Sequence, residues 1–170
     1  MCSDLKKHQI WAISDEVYSE LVYDGKNHCS IGSFDGMKDY TIVLNGFSKS
    51  FAMTGWRIGF LCCPADLMEQ VYKLHQYSSI CAPIMSQYAA LEGLRNGWHE
   101  VEKMRVSYQQ RRNLMYKAFT EMGLPVTEPD GAFYMFPDIS STGLSAEDFA
   151  TRLIETKKVA VVPGTVFGAG

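Results

Sequence analysis

A chain of 170 residues, 46% hydrophobic and 21% charged, has the composition of one ordinary folded domain, or of one domain with a small partner, which excludes a disordered polymer. Its formal charge of −3, with no Lys/Arg-rich stripe, excludes nucleic acid as a bulk electrostatic partner. No apolar run approaches the roughly 20 residues that cross a bilayer, and the opening "MCSDLKKHQIW" lacks the apolar core of a signal peptide.

The sequence "QIWAIS", residues 9–14, is a short apolar run that ends abruptly in "DEVY". It reads as a buried parallel strand with acidic residues at its carboxyl end. A loop rich in Gly, Ser, Asn and Asp follows over residues 25–39. "TIVLNG", residues 41–46, is a second strand of the same kind, β-branched and stopped by Asn-Gly; "RIGFLCC", residues 57–63, is a third, closed by Pro64. Beyond Pro64 the period becomes helical, with Leu67, Val71 and Leu74 on one face, and a second helix runs from Pro83 to the stop at Asn96 and Gly97.

The longest predicted helix covers residues 98–122, where Val101, Met104, Tyr108, Met115, Ala118 and Met122 make an apolar stripe. The charge runs at Lys6–Lys7 and Arg111–Arg112 read as solvated helix faces. Gly123 and Pro125 end the long helix, "GAFYMFPDI" (residues 131–139) reads as a strand, and Ser145 as the N-cap of a helix with Glu147 and Asp148 in its first turn. "VAVVPG", residues 159–164, reads as a last buried strand. The pattern is α/β followed by α+β, with the break near Gly97. A complete α/β sheet needs more strands than these, so a piece of a longer enzyme is expected.

Five cysteines (Cys2, Cys29, Cys62, Cys63 and Cys81) are an odd number without a C-x-x-C pair, which points to reduced thiols in a cytoplasmic protein. His8, His28, His75 and His99 have no metal-ligand spacing, and no metal site is expected.

Lys49 stands apart from these charges. It lies in "GFSKSFAMTGWRIGF" among serines, glycines and aromatics, with Arg57 eight positions later. A lysine becomes a nucleophile or Schiff-base former when burial or a nearby cation lowers its pKa from about 10.4, and a segment of small residues offers access with partial desolvation. Arg57 has a fork suited to a phosphate, and the hydroxyls of Ser48 and Ser50 can add short hydrogen bonds to the same anion. Asp15 and Tyr18 stand at the carboxyl end of the first strand, the edge where open α/β sheets bind ligands. Taken alone, "DEVY" reads rather as a helix start, with Asp15 as N-cap and Tyr18 in the core. Joined to Lys49 at the end of the next strand, it supplies with Ser48 and Arg57 what pyridoxal phosphate requires: aldehyde capture, a charge partner for the ring nitrogen, a hydrogen bond to the ring oxygen and a phosphate clamp.

The stretches "ISDEVYSELVYDG", "NGFSKSFAMTGWRIGF" and "EPDGAFYMFPDI" resemble the class I/II aminotransferases of the fold-type I pyridoxal-phosphate enzymes, in the aspartate and aromatic transaminase branch. The resemblance covers essentially the whole chain. It implies an α/β aspartate aminotransferase-like fold, with residues 1–97 as the carboxyl-terminal part of the large mixed-sheet cofactor domain and 98–170 as an incomplete small α+β domain. It further implies that Lys49 forms the internal aldimine and acts as base and acid at the substrate's α-carbon. Asp15 then partners the pyridine nitrogen, Tyr18 the ring hydroxyl and Arg57 the phosphate, with Ser48 as a lesser phosphate ligand. Many relatives carry Ser or Thr three residues before the lysine; Gly46 here removes that hydroxyl and suits close backbone approach.

The same resemblance implies amino acid and 2-oxo acid substrates and a homodimer met near residues 79–83. It places the glycine-rich turn, a ring-stacking aromatic and an asparagine before Met1, and the substrate-carboxylate arginine past Gly170. By itself the chain is then expected to bind cofactor weakly and turn over little. Two other chemistries share the fold: a C–S lyase, and a non-enzymatic pyridoxal-phosphate-sensing module of a transcription regulator, which would need a basic helix-turn-helix upstream.

Overall fold

The computed structural model describes residues 2–168. They form two compact units: residues 2–109 with 130–132, and residues 110–129 with 133–168.

The first unit is built on a three-stranded sheet in the order of its sequence. Strand β1, Ala12–Asp15, lies parallel to β2, Thr41–Gly46, with Asp15 opposite Leu44. Strand β3, Gly59–Cys62, is antiparallel to β2, with Gly46 opposite Gly59. The third strand is therefore neither parallel nor buried, contrary to its apolar run: Phe60 is 49% exposed. The chain turns straight back between β2 and β3 through a four-residue helix and a 3₁₀ turn, too short a link for the crossover that a parallel neighbour requires.

Before the sheet stands a short helix, α1, Cys2–Lys7. The four-residue helix after β2 is α2, Phe47–Ser50, and two longer helices follow, α3 over Ala65–Ser78 and α4 over Ile84–Asn96. Pro64 and Pro83 stand at their N-caps, as the Pro-first signal predicts, because a missing N–H costs nothing there. The core of this unit is small. Phe47, Met53 and Ala90 are buried together, with Phe51, Ile58 and Ala89 packed against them. The 24-residue helix α5, Trp98–Glu121, contributes its beginning to this unit, where Trp98 meets Phe51 edge-on at 5.2 Å. Residues 130–132 return to it: Gly131 bridges Val22, and the buried Tyr23 hydroxyl donates to the Ala132 carbonyl.

The second unit contains the rest of α5 and helix α6, Ala146–Lys157. Ser145 caps α6 as predicted, its Oγ accepting from the Asp148 N–H at 3.0 Å. Arg112 departs from the solvated reading, being 5% exposed with its Nη1 donating to Glu128, whereas Arg111 is exposed. Successive helix residues lie about 100° apart, so two adjacent arginines cannot share one environment. Two expected strands do not form. Residues 159–163 are irregular, with Val162 64% exposed, and residues 133–139 join no ladder. A strand exists only where a neighbouring backbone completes a run of hydrogen bonds; Asp138 N–H donates to the Pro125 carbonyl at 2.7 Å, but no ladder forms along either segment.

Candidate functional site

The surroundings of Lys49 follow from the pattern of α2. Phe47, Ser50 and Phe51 recur at i, i+3 and i+4, so one face of a single turn is committed to the interior. Phe47 and Ser50 are 6% and 3% exposed, and Phe47 meets Phe51 at a tilt at 5.4 Å and Phe60 edge-on at 6.1 Å. Burying a phenylalanine stabilises by about 2–3 kcal/mol, enough to hold a helix too short to persist alone. Ser48 and Lys49 are left on the opposite face, both half-buried. The aromatics around the lysine are thus its anchor.

Lys49 Nζ lies 5.7 Å from the centroid of the Tyr18 ring, within range of a cation–π attraction. Tyr18 is half-buried in the turn after β1, where Asp15 Oδ1 accepts from the Val17 N–H at 3.2 Å. The Asp15 side chain thus opens a turn, and no helix begins there. Asp15 is exposed at the last position of β1, and the parallel register sets it beside the strand whose end delivers Lys49.

Behind Asp15, Glu16 is 6% exposed and collects three side chains: Ser30 at 2.6 Å, Ser14 at 3.0 Å and His28 Nε2 at 2.9 Å. Burial by itself would raise this carboxyl, but the hydrogen bonds from Ser30, His28 and Ser14 outweigh it and hold the pKa below the ordinary 4.5. Nothing in a lone "DE" pair distinguishes this glutamate beforehand; the downstream His28 and Ser30 are the signal.

Arg57 and Ser48 line one cavity of about 280 Å³ with Val17, Asn45, Gly46 and Gly59. Arg57 follows the 3₁₀ turn Thr54–Trp56 in a left-handed conformation, φ 51° and ψ 50°, which costs a residue with a Cβ about 1–2 kcal/mol. Its Nη1 donates to the Thr54 carbonyl at 2.9 Å, tying the guanidinium to its own turn. The two backbones can approach closely at the cavity because Gly46 and Gly59 lack side chains: a Cβ on Gly46 would stand 3.1 Å from the Gly59 Cα and 3.2 Å from the Ile58 carbonyl oxygen. Close approach is the role sequence reasoning gave Gly46; Gly59 and Asn45 were missed, read only as part of a strand and as a strand stop.

The structure thus pairs Lys49 with Tyr18 and Ser48 with Arg57, and aligns Asp15 through the sheet. A larger cavity of about 540 Å³ is lined by Glu20, Lys26, His28, Trp98 and Arg105 among others, and by none of the five candidates. Among the described residues no group of three His, Cys, Asp or Glu is placed to hold a metal ion, and no helix is long and apolar enough to cross a membrane.

A mixed sheet that delivers a lysine from the carboxyl end of a central strand, followed by a long helix leading into a second unit, is part of an aspartate aminotransferase-like fold. The crystal structure of an aromatic aminotransferase from Pyrococcus horikoshii matches 99% of this chain at 45% identity with a TM-score of 0.94, over 45% of its own length. Among curated proteins, YugH of Bacillus subtilis is 53% identical over 163 residues, and aromatic-amino-acid aminotransferase 2 of Thermococcus litoralis is 49% identical over 164. These alignments cover 96% and 95% of this chain and 42% of each relative, so the chain spans about two-fifths of the length of the curated relatives it matches. The profile of the family "Aminotransferase class I and II" matches residues 2–169, and the chain belongs to that family.

Proposed function

We propose that this chain carries the lysine-bearing part of a pyridoxal 5′-phosphate-dependent aminotransferase that exchanges the amino group between an amino acid and a 2-oxo acid. The observation that carries the reading is Lys49 Nζ held over Tyr18 beside a cavity lined by Ser48 and Arg57, in a chain of this family. The donor set fits the cofactor: a primary amine, a carboxylate, a phenol, a hydroxyl and a planar cation.

Bound there, pyridoxal phosphate supplies an aldehyde and an electron-accepting pyridine ring. Arg57 and Ser48 hold its phosphate, one by a forked cation and the other by a single hydroxyl. Asp15 keeps a proton on the ring nitrogen by charge pairing, and Tyr18 donates its O–H to the ring oxygen. Lys49 supplies the nitrogen that holds the cofactor. Its amine, when free, would take a proton from the substrate's α-carbon and later return one.

The division into residues 1–97 and 98–170, cytoplasmic location and homodimeric assembly belong to the same proposal. Reduction of the cofactor-loaded protein with borohydride, followed by peptide mapping, is expected to label Lys49, and Lys49→Ala to lose both the yellow absorbance and transfer. Label on another amine would overturn the reading. Glutamate formed from 2-oxoglutarate supports transfer; pyruvate and ammonia released from a cysteine conjugate would make the protein a lyase.

A further inference from the structure

Ser86 is 5% exposed in the first turn of α4. A serine in a helix commonly returns its hydroxyl to the carbonyl four residues earlier. For Ser86 that carbonyl belongs to Ala82, and it already accepts Gln87 Nε2 at 2.8 Å. Ser86 Oγ instead crosses to another element and donates to the Trp56 carbonyl at 2.6 Å. This carbonyl is half of the peptide unit that enters Arg57. Fixing its plane fixes the start of the rotation that leaves Arg57 at φ 51°, a conformation the local sequence does not favour. The other restraints on the turn are local: the Thr54 carbonyl accepts Arg57 Nη1 at 2.9 Å and the Arg57 N–H at a long 3.4 Å, and the Met53 carbonyl accepts the Trp56 N–H at 3.2 Å.

The geometry points to Ser86 as a positioning residue: its hydroxyl holds the Trp56–Arg57 peptide so that the guanidinium stays at the cavity shared with Ser48, and thereby sets how tightly a phosphate is gripped there. The inference rests on the cofactor reading above and deepens it. Ser86 touches no reacting atom and acts through Arg57 alone.

The test is equilibrium binding of pyridoxal phosphate and of phosphate-free pyridoxal to the native-length apoprotein, for wild type, Ser86→Ala, Ser86→Thr, Arg57→Ala and the Ser86→Ala/Arg57→Ala double variant. Loss of one buried hydrogen bond predicts that Ser86→Ala binds pyridoxal phosphate about three- to tenfold more weakly. Pyridoxal binding is expected to be unchanged, Ser86→Thr to retain the wild-type ratio, and the effect to vanish once Arg57 is alanine. Equal weakening of both ligands, an unchanged ratio, or an effect that persists without Arg57 would overturn the inference while leaving the cofactor reading intact. Should Ser86→Ala fail to fold, Ser86→Cys keeps the volume with a much weaker donor and carries the same comparison. A wild-type protein that binds neither ligand would overturn the cofactor reading and this inference with it.

Discussion

Gly46 and Gly59 face each other across the antiparallel β2–β3 pair so closely that a Cβ on Gly59 would lie 3.0 Å from the Asn45 carbonyl oxygen. Both neighbours are backbone, which has no flexible end to swing away. Gly59→Ala must therefore push apart the two strands that flank the segment bearing Lys49 and Arg57. Overpacking of this kind costs about 1–3 kcal/mol, so the unfolding free energy of Gly59→Ala from urea denaturation is expected to fall by that amount. Gly55→Ala, where a Cβ meets open space, is expected to stay within about 0.5 kcal/mol of wild type.

Glu16 makes stability depend on pH with a definite sign. Its native pKa lies below the ordinary 4.5, so the unfolded chain binds the proton at a higher pH than the folded one. The stability it contributes is fully present above the unfolded value and is lost as pH falls through the depressed native value. Denaturant midpoints measured between about pH 6 and pH 3 should therefore drop more steeply for wild type than for Glu16→Gln. A parallel decline in both would remove Glu16 as the titrating group.

Lys49 was legible because its solitude is a local property: a cation among serines, glycines and aromatics has few structural reasons to be there. The β2 strand was equally legible, four β-branched or apolar residues stopped by Asn-Gly, and it forms over Thr41–Gly46 as read. Ser86 and Glu16 were not, because their meaning lies in partners 30 and 14 residues away that only the fold brings near. The failed strands at 133–139 and 159–163 teach a related lesson. A run such as "VAVV" records what its side chains would bury, whereas strand geometry depends on a neighbour's backbone. Direction is hidden likewise, and β3 had to be seen to be antiparallel.

Ser145 offers a prediction in the second unit, independent of the site. Its Oγ accepts from the Asp148 N–H and donates to Asp148 Oδ2 at 2.8 Å, so the cap and the first-turn carboxylate reinforce each other. Ser145→Ala is expected to cost about 1 kcal/mol, and Ser145→Asp, which keeps an acceptor but sets two carboxylates together, less. Helix-specific amide exchange should quicken within residues 146–149 first.

Arg57 provides the sharpest contrast between folding and binding. Its side chain is exposed and, among the described residues, donates within its own turn, so Arg57→Lys should leave the melting temperature of the apoprotein nearly unchanged. A lysine keeps the charge but loses the fork, and the bidentate grip on a phosphate goes with it. A ligand that binds only the folded state stabilises it by RT ln(1 + [L]/Kd), so a tenfold weaker grip removes about 1.4 kcal/mol of that protection at saturating ligand. Thermal melts with excess pyridoxal phosphate should therefore show a smaller rise for Arg57→Lys than for wild type, while melts with pyridoxal coincide. Coincident melts with both ligands would mean that the phosphate is held somewhere other than the Arg57 cavity.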